Sequence, residues 1–203
     1  MNMPLTDRLG STIDTYVDIE AHEQAILGMA KQKILKGEKV GTHLFIHREI
    51  DPVVAVVCRP VTSREDSLTA LNEMLFLLTA IEKHTGVMVL DSSVILADTK
   101  EELPSISIIA FTENGIMSIS YAYRVNEDNT DVEWVDEATR VEGDTYPPEK
   151  ENTIIFFNRL RKPMYPPSYL IKFLRSKGHD VKLYDGWTVE NIDGRTGNYF
   201  HGA

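Results

Sequence analysis

Apolar positions recur at helical spacing in three stretches of the chain and alternate or run together through most of the remainder. Over residues 11–36, Tyr16, Ile19, Ile26, Ala30 and Ile34 fall near a 3.6-residue period and Gly37 follows as a stop. This predicts an N-terminal amphipathic helix, with a break near Gly28 as the alternative. The signal is stronger over residues 63–84. Ser63 can cap the start, Glu65 and Asp66 lie in the first turn, where the positive end of a helix favours carboxylates, and Gly86 lies beyond the end. Leu68, Leu71, Leu75 and Leu78 form one stripe, widened by Met74, Phe76, Leu77 and Ile81. A surface that broad asks to be covered on more than one side, so a central helix packed on a sheet is expected.

The extended stretches predict mainly antiparallel pairing. Residues 42–49 and 52–59 read as a hairpin connected at 49–52, and the run Val53, Val54, Ala55, Val56, Val57 has the composition of a central strand. Apolar runs follow at 87–90, 94–97 and 106–111, and Asp91, Ser92 and Ser93 between the first two read as a turn or as a polar kink in one long strand. Asn114-Gly115 is a type I′ hairpin signal, because both residues tolerate positive φ. After it, Met117, Ile119, Tyr121, Tyr123 and Val125 alternate with Ser118, Ser120 and Arg124, the pattern of a half-buried strand. Residues 132–135 add another strand. Residues 137–152, with Gly143 and Pro147-Pro148, read as a polar linker. A strand at 153–157, a helix at 168–177 ended by Gly178 and a strand at 180–184 make a βαβ-like C-terminal extension over 153–185, followed by an irregular tail, 186–203. The expected fold is α+β, a single domain over residues 1–203 with its core at 38–136.

Composition changes this picture little. With 203 residues, 42% hydrophobic and 26% charged, the chain can bury one substantial core. The longest apolar run, 74–81, is far short of the roughly 20 residues of a membrane span, and the amino terminus lacks the pattern of a secretory signal, so a soluble, cytoplasmic protein without membrane contact is expected. The single cysteine, Cys58, excludes an internal disulfide framework and any zinc site built from paired cysteines, and it reads as an inert thiol at the end of a buried strand.

Charge changes it more. The formal net charge is −10, but residues 127–151 hold ten acids against Arg140 and Lys150, whereas 159–182 hold Arg159, Arg161, Lys162, Lys172, Arg175, Lys177 and Lys182 against Asp180. Two opposed patches therefore lie in adjoining stretches. They point first to a binding or regulatory protein that meets a protein partner through charged surfaces, with Glu133, Asp136 and Glu137 as candidates on the acidic side and Arg159, Arg161, Lys162, Lys172 and Arg175 on the basic side. The basic stretch is interleaved with Phe156, Phe157, Tyr165, Tyr169 and Phe173, which raises phosphate or nucleic-acid binding as an alternative. The same aromatics would serve equally as the core of a strand and a helix.

A small enzyme, such as a hydrolase, is the other class. His43 and His47 stand four apart, a metal-ligand spacing on a helix, but on the strand expected here they would be about 13 Å apart. His47 and Glu49, about 7 Å apart on one strand face, with Asp51 at the turn, could line a pocket for acid–base work. Otherwise they are ordinary polar residues on an exposed strand face. Ser92 and Ser93 lack a nucleophile-elbow sequence. Residues 174–185, LRSKGHDVKLYD, resemble the helix, glycine, strand and terminal acid of nucleotide-binding Rossmann units, in which Asp185 would bind a ribose hydroxyl. The glycine-rich phosphate loop of those units has no counterpart, since residues 157–167 contain no glycine. No cofactor or metal is indicated.

Overall fold

A computed structural model of the chain describes residues 19–48, 51–81, 84–96, 98–112, 115–135, 165–184 and 186–196. They form a mixed α+β structure whose elements run α1 (Ile19–Leu35), β1 (His43–Arg48), β2 (Asp51–Val57), α2 (Arg64–Ala80), β3 (His84–Ile95), β4 (Glu102–Thr112), β5 (Gly115–Val125), β6 (Val132–Val135), α3 (Pro167–Ser176), β7 (Asp180–Leu183) and α4 (Ile192–Thr196). Two compact units are present, each assembled from two separated stretches: Met1–Thr42 with Val87–Thr145, and His43–Gly86 with Tyr146–Ala203. The expected linker, 137–152, and the first strand of the expected βαβ unit, 153–157, lie outside the described residues.

In the first unit the strand order is β6-β5-β4-β3. Helix α1 runs unbroken through Gly28 and ends in a Schellman turn: the Gly37 amide donates to the Ile34 carbonyl and the Glu38 amide to the Lys33 carbonyl, each at 2.9 Å, with Gly37 at φ +70°. Only a residue without a Cβ takes that conformation freely. Ile26 and Ala30 on the helix are buried, and Tyr121 of β5 donates to Glu23.

Strand β4 is covered on both sides, since Ile106 and Ile108 are buried on one face and Ser105 and Ser107 on the other. The serines satisfy one another. The Ser92 hydroxyl lies 2.6 Å from those of both Ser105 and Ser107, and Ser107 lies 2.8 Å from Ser120, a hydroxyl chain across three strands. Asp91-Ser92-Ser93 is thus a polar passage within one continuous strand, not a turn. Asp91 accepts the amides of Val40 and Gly41. The β4–β5 register pairs Thr112 with Gly115, so Gly115 already belongs to the strand, and Asn114 of the expected Asn-Gly turn lies outside the described residues.

In the second unit β1, β2 and β7 lie side by side and pair antiparallel, with a register shift at Ile46/His47. Of the expected βαβ-like extension, the helix and the last strand are present as α3 and β7, with β7 antiparallel to β2, while its first strand lies outside the described residues. Leu44, Ile46, Val54, Val56 and Val181 are buried, as are Met74, Leu75, Leu77 and Leu78 of α2 and Leu170, Ile171 and Leu174 of α3.

Helix α2 starts as its sequence predicts, the Ser63 hydroxyl accepting the Asp66 amide at 3.0 Å. Its end differs. The C-cap Ile81 is extended, and Gly86 sits inside β3, where a Cβ would lie 2.5 Å from Leu78 Cδ1. That glycine serves close approach rather than helix termination. Helix α3 ends at Gly178 in a second Schellman turn, and its N-terminus is capped from α4, Asp193 accepting both the amide of Ser168, at 2.9 Å, and its hydroxyl. Part of the tail expected to be irregular is therefore an ordered one-turn helix that closes off α3.

Candidate functional site

The residues proposed for acid–base chemistry are differently placed from an exposed strand face. His43 and His47 on β1 are 5% and 4% exposed. Leu44 and Ile46 between them are equally buried, so β1 is covered on both faces and the imidazoles lie inside the structure. Glu49 and the side chain of Asp51 lie outside the described residues, although the Asp51 backbone pairs with Arg48. Of the charged candidates, Glu133 is exposed on β6, Lys172 and Arg175 are exposed on α3, and Asp136, Glu137, Arg159, Arg161 and Lys162 lie outside the described residues.

A polar cluster that the sequence pattern missed joins Arg59, just after β2, to Asp66 in the first turn and Glu73 in the middle of α2, and to His179, just before β7. Arg59 forms a bidentate pair with Asp66 at 2.6 and 3.1 Å, and its Nε lies 3.5 Å from Glu73. Glu73 Oε2 is 2.8 Å from His179 Nε2, and His179 Nδ1 accepts the backbone amide of Arg59 at 3.3 Å. An accepting Nδ1 requires the proton on Nε2, so His179 donates to Glu73 and both ring nitrogens are engaged. With no lone pair left for a substrate proton, the imidazole works as a clasp rather than a base.

The neighbouring Cys58 is half-buried, and burial pushes its thiol above the usual range despite the opposing pull of Arg59. It is therefore held protonated, the opposite of what a nucleophile needs. The cluster ties distant segments together; Glu73 and His179 are 106 positions apart. Among the described residues, no group of three His, Cys, Asp or Glu side chains converges as a metal site would require.

The second feature is the outer face of α3. Its inner face buries Pro167, Leu170, Ile171 and Leu174. On the helical period this turns Tyr169, Lys172, Phe173 and Ser176 outward. Tyr165, just before the helix, stacks on Tyr169 with ring centroids 4.8 Å apart and planes 22° from parallel, and the two are 47% and 50% exposed. One turn further on, the Lys177 ammonium sits 5.4 Å from the Phe173 ring centroid. Arg175 turns back and donates to the Val181 carbonyl at 2.9 Å. The helix itself carries no acid. The structure thus separates aromatics that the sequence pattern left together: Tyr165 and Tyr169 are surface residues, not core.

No helix among the described residues is long and apolar enough to cross a membrane. Neither a protein-family model, nor a curated protein, nor a solved structure matches the chain.

Proposed function

We propose that the chain is a binding protein that recognises an anionic partner through the outer face of α3. The carrying observation is the exposed Tyr165–Tyr169 stack beside Lys172 and Lys177 on a helix without a carboxylate. Large aromatic rings left half in water are costly to hydrate unless a partner covers them, and aromatic and basic residues together are the usual anchors of recognition surfaces. The acid–base alternative has less support, since His47 is buried and His179 has both nitrogens committed.

Immobilised heparin, a polyanion without aromatic groups, tests the charge component. The chain should be retained at low ionic strength and released as salt rises, because exposed charges are screened over about 10 Å at 0.1 M salt. Lys172→Glu/Lys177→Glu should pass through unretained. Failure of the unaltered chain to bind, or unchanged retention of the doubly reversed variant, would overturn the reading.

A further inference from the structure

Resting on that reading of α3, we infer that the anionic partner is a single-stranded nucleic acid whose bases extend the Tyr165–Tyr169 stack while Lys172 and Lys177 meet its phosphates. Positive charge alone would suit any polyanion. The stacked rings narrow the choice. Each tyrosine has one face against the other and the pair is about half exposed, which offers flat π-surface at the edge of a basic helix. Bases are the anionic-polymer components with matching flat faces, and aromatic platforms beside lysines are how proteins hold unpaired strands without reading sequence. In a duplex those faces are stacked inside and only the base edges reach the grooves, so a double strand cannot complete the stack. Sulfated polysaccharides and acidic peptides supply the charge without the bases.

The surrounding charge agrees. Within 165–184, Lys172, Arg175, Lys177 and Lys182 stand against the single acid Asp180. From Tyr169 to Lys177 the helix advances about 12 Å, room for more than one nucleotide beside the ring pair. The Asp193 carboxylate is spent on the amide and hydroxyl of Ser168 at the start of the helix.

The test is anisotropy of a labelled oligothymidine titrated with the full chain, repeated across salt concentrations and in competition with a duplex of equal length, heparin and poly-glutamate. The single strand should bind, and the duplex should compete less well than unlabelled single strand. Tyr165→Ala/Tyr169→Ala should weaken binding roughly tenfold or more with the salt slope unchanged, and Tyr165→Phe/Tyr169→Phe should retain it, because the ring and not the hydroxyl stacks. Lys172→Glu/Lys177→Glu should reduce the slope of log affinity against log salt by about two. Thermal melts of each variant separate a lost surface from a lost fold. Heparin retention without oligothymidine binding would overturn this inference and leave the anionic-partner reading standing. Binding of neither would overturn both. Equal affinity of the Tyr165→Ala/Tyr169→Ala variant, or poly-glutamate competing as well as the single strand, would sink the stacking mechanism.

Discussion

Asp66 accepts both arms of the Arg59 guanidinium and the amide and hydroxyl of Thr62 while standing at the third position of α2. The hydrogen bonds from Arg59, followed by that from the Thr62 amide, hold its carboxyl well below the usual range. A carboxylate whose folded-state pKa is depressed adds stability that is present in full above its unfolded pKa of about 4 and is lost as pH falls toward the folded value. Asp66→Asn should therefore lower the urea midpoint at pH 7, and the gap from the unaltered chain should narrow between pH 5 and pH 2. A gap of constant size across that range would show that the ionised pair is not the source. Neither Arg59 nor Glu73 could be paired from sequence, because the partners of the cluster lie on segments up to 120 positions apart and nothing in their local patterns links them.

At the scale of elements, what was legible follows the range of the interactions. The start of α2 depends on Ser63, Glu65 and Asp66, all within one turn, and the ends of α1 and α3 depend on single glycines at positive φ, so short-range chemistry suffices. Gly86 shows the limit of that logic. Its position after an amphipathic run matches a helix stop, yet what it provides is clearance for Leu78. Gly86→Ala should cost about 1–3 kcal/mol through overpacking. Leu78→Ala alone should cost about 2–5 kcal/mol. Urea unfolding of the double variant should show a loss smaller than the sum, since truncating Leu78 removes the obstacle; strict additivity would disprove the close approach. Strand β5 makes a related point. Alternation marks two faces, but Ser120 and Ala122 on the small, polar side are buried alongside Ile119 on the apolar side.

At the scale of the whole molecule, a formal charge of −10 conceals an acid-rich stretch at 127–151 and a base-rich one at 159–182. A net charge describes solubility and long-range steering, whereas contact recognition responds to the local patch. The chain should accordingly be retained at pH 7 and low salt by both an anion exchanger and a heparin matrix. Lys172→Glu/Lys177→Glu should abolish only the second retention. Loss of both in that variant would mean that charge reversal had damaged the fold rather than the patch.

The sequence by itself determined the mixed α+β class, the mainly antiparallel pairing through β1–β2 and β4–β6, the capped start of α2 and the segregation of charge, because periodicity, caps and composition are properties of neighbouring residues. Only the tertiary structure decided that β7 lies antiparallel to β2, that His43 and His47 are inside and that His179 closes a cluster with Arg59, Asp66 and Glu73. It alone placed Tyr165 and Tyr169 at the surface. Which face of an element is covered depends on what packs against it from elsewhere in the chain, and an aromatic side chain reads the same in the sequence whether its ring meets a core or water.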